Sequence, residues 1–105
     1  MKFGLTDGQL AQIRSVLAEF PSVSEAVIFG SRAMGNHKEA SDVDLALKGE
    51  IDGRVVSEIK SAFEDTNIPL FFDIVAYGTI GNDKLKRHID EHGVVVCRNE
   101  RPDPA

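Results

Sequence analysis

Two carboxylates at strand spacing, Asp42 and Asp44, follow the pair Gly30-Ser31 after an interval of ten residues. Successive side chains of a strand face opposite sides. The two acids therefore share one face, about 7 Å apart along the chain, while Val43, Leu45 and Leu47 face the other way into a core. Carboxylates held that close repel one another unless positive charge sits between them. Mg2+ meets the need, because it is hard, prefers oxygen, and binds through one or two carboxylates together with the phosphates of a substrate. Gly30-Ser31 offers the matching half. A strand that runs into a glycine turn lets backbone approach a ligand, and exposed N–H groups with a hydroxyl can hold a phosphate. Together the residues read as a strand-loop-strand unit for a nucleoside triphosphate and its metal ions.

A metal site of this kind needs a further carboxylate to orient or deprotonate an attacking hydroxyl. Asp73 is the candidate. It interrupts Leu70-Phe71-Phe72-Asp73-Ile74-Val75, a short aromatic and β-branched run just after Pro69 that is otherwise apolar, and a charge there is costly unless paired or bound to metal. The plainer alternative is a carboxylate at a strand end, bonded to backbone or paired with Arg32 or Lys48. Arg32 follows Ser31 directly and has the planar fork of donors that suits a triphosphate, or else pairs with Asp44. His37 sits in a polar loop and reads as solvated surface. Ser41 reads as a structural residue of the turn before Asp42. Lys84, Lys86, Arg87 and His88 form a basic cluster that reads mostly as a solvated helix face, as does the Glu91, His92 pair.

The stretch Gly30-Ser31-Arg32-Ala33-Met34-Gly35, leading to Ser41-Asp42-Val43-Asp44-Leu45-Ala46, resembles the nucleotidyltransferase superfamily of the DNA polymerase beta type. Its form is that of the minimal nucleotidyltransferase (MNT) proteins, many of them encoded beside a HEPN-domain ribonuclease as the antitoxin of a toxin-antitoxin pair. The resemblance runs from about Leu10 to Cys97 by order of elements and is specific over Gly30 to Leu45 and at Asp73. It implies an α/β (α+β) fold with helices packed on a small mixed sheet, and a triad of Asp42, Asp44 and Asp73 that holds two Mg2+ ions. Gly30, Ser31 and Arg32 are then the nucleotide-binding residues. It also implies ATP as donor, a HEPN toxin as partner, and AMP transfer to a tyrosine hydroxyl that silences the ribonuclease. Two alternatives stay open: an antitoxin that neutralises by binding alone, and a subunit of a small-molecule (antibiotic) nucleotidyltransferase.

The elements that must position these residues alternate between helix and strand. Thr6 with Gln9 reads as a capping box for a first helix whose inward stripe is Leu10, Ile13, Val16, Leu17 and Phe20, ended by Pro21. A strand is predicted over 25–29, a helical turn from Ser31 to about Gly35, and a second strand over 42–47. Asp52 opens a second helix carrying Val55, Val56, Ile59 and Phe63, broken by Asn67 and Pro69 before the Asp73 strand. Asn82 caps a third long helix through Leu85 and Ile89, and residues 94–97 form a last strand. Residues 1–97 are thus expected to be one nucleotidyltransferase domain and 98–105 a flexible tail.

With 17 acidic against 12 basic residues the net charge is -5, which argues against a protein built mainly to grip a nucleic-acid backbone. A small substrate carried by metal ions, or a basic protein partner, fits better. The single Cys97 excludes an internal disulfide framework and ends an apolar run, so it reads as a small core residue. No signal-peptide pattern or membrane-length run occurs, and a cytoplasmic location is expected.

Overall fold

Thr6 caps the first helix as its spacing predicts. Its N–H donates to Gln9 Oε1 and its Oγ1 accepts from Gln9 N–H, both at 3.0 Å, and helix α1 runs Asp7–Ala18. The computed structural model describes residues 2–99. After α1 come strand β1 (Val23–Phe29), the four-residue helix α2 (Ser31–Met34), β2 (Val43–Gly49), α3 (Gly53–Glu64), β3 (Phe72–Ala76), a 3-10 turn (Tyr77–Thr79), α4 (Asp83–His92) and β4 (Val94–Arg98). Asp52 and Asn82 cap α3 and α4: Asp52 Oδ1 accepts from Val55 N–H at 2.9 Å, and Asn82 Oδ1 accepts from Lys84 and Leu85 N–H. These caps occupy backbone donors that no residue within the helix can reach.

The strands form one mixed sheet in the order β3-β2-β1-β4. β1 is antiparallel to both β2 and β4, whereas β2 and β3 are parallel and joined across α3. One face of the sheet meets α1 and α3 in the main core, where Leu10, Ile13, Leu17, Ile28, Val43, Leu45, Leu47, Ile59, Phe63 and Ile74 are buried. Phe63 of α3 stacks flat on Phe72, with ring centroids 4.2 Å apart. The other face carries a smaller cluster of Val27, Phe29 and Ala46 under Ile89 of α4. β2 is therefore sealed on both faces at its centre, with Ala46 as inaccessible as its neighbours Leu45 and Leu47. Strict in-and-out alternation does not describe it, because α4 folds back over the second face.

Element boundaries shift from expectation for local reasons. β1 starts at Val23, two residues early, and an irregularity in its pairing with β2 falls between Val23 and Glu25. Asp42 lies just before β2, and Phe71 just before β3. The last strand includes Arg98, whose Nε donates to Glu25 Oε1 at 3.0 Å. Asn99 is also fixed: its side-chain amide donates to the carbonyls of Leu17 and Val23, both at 2.9 Å. Arg98 and Asn99 of the expected tail 98–105 are thus held by the fold, and 100–105 lie outside the described residues. Cys97 is half-buried, and burial pushes its thiol above its ordinary pKa, against the pull of Arg14. No helix among the described residues is long and apolar enough to cross a membrane.

Two-sided burial of β2 has a direct test. The substitution Ala46→Leu is expected to lower unfolding free energy in urea by about 1–3 kcal/mol, the usual range for overpacking a filled core. A neutral result would mean that α4 does not close that face.

Candidate active site

Strand directions bring the chemistry to one edge of the sheet. β1 ends where β2 and β3 begin, so the residue after β1 and the first residues of the other two strands are neighbours. The register sets Phe29 opposite Asp44 and Asp44 beside Asp73, and adjacent strands lie only about 4.8 Å apart. Gly30, Asp44 and Asp73 thus form a row, with Asp42 one residue ahead of β2. Because Val43, Leu45, Phe72 and Ile74 point into the main core, Asp44 and Asp73 point to the opposite, α4 face. The sequence expectation that Asp42 and Asp44 oppose Val43 and Leu45 agrees with this arrangement.

Gly30 is glycine for two reasons. Its backbone is at φ 74°, ψ −153°, a region that residues with a Cβ essentially do not occupy. In addition, a Cβ at this position would overlap Asp44 Oδ2. The turn and the carboxylate therefore touch, and Ser31 opens α2 directly behind it.

The three acids differ in environment. Asp42 and Asp73 are exposed, while Asp44 is half-buried. Burial raises the Asp44 pKa above its ordinary value, and the negative charges of Asp73 and Asp42 raise it further; Arg32, and His88 when protonated, pull the other way. Such a cluster attracts a cation, which relieves the repulsion. Among the described residues no group of three or more His, Cys, Asp or Glu side chains is set to hold a metal ion by itself. Mg2+ takes one or two carboxylates and completes its shell with phosphate oxygens and water. The donor set at Asp42, Asp44 and Asp73 fits Mg2+ on those terms.

A cleft of ≈ 590 Å³ opens beside Asp42 and Asp73, walled by Phe63, Ile68, Pro69, Leu70, Phe71 and Phe72 with Lys60 and Glu64 at its margin. Gly30 and Ser31 do not line it. The acids can therefore be approached from two sides, from the glycine turn and from the cleft.

Arg32 departs from the expected role of nucleotide ligand. It is 2 % exposed and its donors are taken by backbone carbonyls: Nη1 donates to Phe3 O at 2.8 Å, Nη2 to Glu39 O at 3.1 Å and to Ser41 O at 2.8 Å, and Nε to Ser41 O at 3.0 Å. Burial lowers its pKa, while Asp42 and Asp44 raise it. Arg32 thus ties the 36–41 loop and the N-terminal turn to the back of the site, and acts on the acids through its field. His37 is likewise not the solvated residue expected; it is half-buried, and its Nδ1 has no hydrogen-bond partner among the described residues. Ser41 is structural as expected, with Oγ accepting from Lys38 N–H at 2.9 Å.

His88 was not singled out as a site residue by the basic cluster that contains it. Its Nε2 accepts from the Gly30 N–H at 3.0 Å. The signal was helical spacing: Leu85, His88, Ile89 and His92 recur at the i, i+3, i+4, i+7 positions of one face, and that face turns to the sheet. Lys86 lies over the Tyr77 ring, 5.0 Å from its centroid, while Lys84 and Arg87 are exposed.

The family model "Polymerase beta, Nucleotidyltransferase" matches residues 11–102. The probable protein adenylyltransferase MntA of Haemophilus influenzae is 30% identical over 95 residues, 89% of this chain and 82% of that protein. Among solved structures, a toxin-antitoxin with AMP-PNP superposes with a TM-score of 0.70 at 19% identity, covering 83% of this chain and 71% of the other. A mutant of the toxin-antitoxin MntA-HpeT gives 0.67 at 16% identity, covering 83% and 70%. At these identities the two structures speak for the fold.

Two outcomes are expected of the site itself. Gly30→Ala should cost about 1–3 kcal/mol of unfolding free energy, the usual range for forcing a side chain into this backbone region, read by urea titration. Asp44→Asn should stabilise the metal-free protein at neutral pH. A carboxylate whose folded pKa is raised binds protons more readily folded than unfolded, so it lowers stability as pH rises from its unfolded pKa through its folded one. The gap between Asp44→Asn and wild type should open across that acidic window and hold constant above it, in urea melts with EDTA. A gap independent of pH would deny the repulsion.

Proposed function

This chain belongs to the polymerase beta nucleotidyltransferase family, and from that premise we propose that it transfers AMP from ATP to a tyrosine hydroxyl of a HEPN ribonuclease toxin and so acts as its antitoxin. The observation that carries the reading is the convergence of Asp42, Asp44 and Asp73 on the Gly30-Ser31 turn at one sheet edge. The kinship with a protein named as a probable protein adenylyltransferase supports protein as the acceptor class, and the shared fold with toxin-antitoxin proteins supports a toxin partner. The HEPN identity and the tyrosine rest on the MNT resemblance of the Gly30 to Leu45 stretch. The expected setting is the cytoplasm.

In the proposed mechanism the turn receives the terminal phosphates, Gly30 by leaving room for their close approach and Ser31 through its hydroxyl, and Asp42 and Asp44 face the triphosphate from the neighbouring strand. Asp42, Asp44 and Asp73 would hold two Mg2+ ions together with the phosphates, and bound there the ions would supply neutralising charge and lower the pKa of the acceptor hydroxyl. The acceptor enters by the cleft beside Asp42 and Asp73. Asp73 orients the hydroxyl and takes its proton; the oxygen attacks the α-phosphorus in line, the bond to the β-phosphate breaks, and pyrophosphate leaves toward the turn. A phenol suits the step, being easier to deprotonate than a sugar hydroxyl. The cleft is open to solvent beside Asp42 and Asp73, and on this reading the partner brings its acceptor segment there.

The deciding experiment is intact-mass spectrometry of the product of the neighbouring gene after co-expression with this chain, or incubation with it, ATP and Mg2+. A gain of one or more AMP masses, absent with Asp42→Asn, is expected. An unmodified partner in a stable complex would favour neutralisation by binding alone. Asp42→Asn and Asp44→Asn should each lower transfer by at least about 10²-fold with the fold intact, as expected for loss of a group that stabilises developing charge. Asp73→Asn should lower turnover by about 10²–10⁴-fold, the usual worth of a positioned base, and leave ATP affinity nearly unchanged; equal loss of both would remove Asp73 from the acceptor side.

A further inference from the structure

The glycine turn is held from a distant part of the chain. The last β1–β2 pair is Phe29 with Asp44, so Gly30 lies one residue beyond that ladder. Its N–H donates to His88 Nε2, 3.0 Å away on α4. A ring nitrogen that accepts is unprotonated, which places the proton of neutral His88 on Nδ1. The ring is fixed by packing: it stands edge-on to Phe29, with centroids 6.2 Å apart and planes at 74°, and lies 5.4 Å from the His92 ring. Phe29 and Ile89 are both buried in the small cluster beneath α4, so the helix position that sets His88 is itself anchored in the sheet.

The peptide that His88 holds is the sensitive one. Gly30 sits in a backbone region of high cost, against the Asp44 carboxylate, and immediately before Ser31. A small rotation of the 29–30 peptide would move the Ser31 hydroxyl and open or close the gap to Asp44 Oδ2. We propose that His88 is a positioning residue of the nucleotide site, whose Nε2 lone pair fixes the Gly30 peptide and keeps Ser31 and Asp44 in the relative position a triphosphate requires. The proposal rests on the reading of this edge as a nucleotide site. Its further consequence is that the Gly30 N–H is committed to His88 and is not a phosphate donor.

The test compares wild type, His88→Gln and His88→Leu. Gln can present an acceptor oxygen near the position of Nε2, whereas Leu fills the space and accepts nothing. ATP affinity with Mg2+ is measured by titration calorimetry, and exchange of the Gly30 amide by NMR hydrogen exchange, with thermal melts as the fold control. His88→Leu is expected to weaken ATP binding and speed Gly30 exchange, each by about tenfold, as for an amide left without its partner. His88→Gln should stay within about threefold of wild type in both, since it keeps the acceptor. If the Leu variant does not fold, His88→Ala replaces it as the variant without an acceptor. ATP affinity unchanged in the acceptor-less variant overturns the proposal alone. So does a well-folded Gln variant that falls as far as Leu, because packing and not the lone pair would then be at work. A wild type that binds no ATP overturns the nucleotide reading, and this proposal with it.

Discussion

Repulsion among carboxylates at one sheet edge is the constraint around which this fold is arranged. Asp44 and Asp73 stand side by side because β2 and β3 are parallel and in register, and Asp42 adds a third negative charge one residue outside the strand. Parallel neighbours cannot be joined by a tight turn; they need a crossover, which α3 supplies. That helix brings Phe63 onto Phe72, and so anchors the start of β3 one residue before Asp73. The apolar stacking offsets what the charges beside it cost. The same parallel step leaves β3 as an edge strand, so Asp73 is exposed while Asp44, inside the row, is half-buried.

The site is assembled from behind as much as from its own edge. Arg32 on α2 and His88 on α4 act from different elements, one spending its donors on three carbonyls and the other offering a lone pair to an amide. A buried guanidinium is tolerated when its donors are satisfied, and here satisfaction has a second effect. The carbonyls it gathers belong to Phe3, Glu39 and Ser41, the last immediately before Asp42. The loop that delivers the first acid is thus fixed by the residue that also lends it positive potential. Neither role requires Arg32 to touch a ligand.

Local signals made most of the framework legible in the sequence. Thr6, Asp52 and Asn82 announced three helices because a cap is a contact among residues three or fewer apart, and the alternation around Asp42 and Asp44 identified both strand and face. What was not legible depended on contacts across the chain. A guanidinium next to Ser31 looks like a phosphate ligand until the fold shows carbonyls converging on it from Phe3, Glu39 and Ser41. His88 lies 58 positions from Gly30, inside a run of basic residues whose average polarity suggests solvent; only its place on the Leu85–Ile89 stripe sets it apart. Ala46 was hidden for the same reason, since one-sided alternation gives no hint of a second helix returning over the far face.

A domain this small leaves its chemistry unfinished. Two acids border an apolar cleft with an open side, and Phe71 at its rim is 82 % exposed. Among the described residues no element closes over it, because α1 and α3 pack on one face of the sheet and α4 on the other. Transfer chemistry works best where water is excluded and charge is neutralised at the moment of reaction. On the proposed reading, the remaining wall comes with the acceptor. The dependence also gives selectivity, since a hydroxyl brought by a surface that fits the cleft is positioned for attack while a freely diffusing one is not. The exposed acids and open cleft are what the proposed function asks of this chain, with a nucleotide held at the turn and an acceptor brought by a partner.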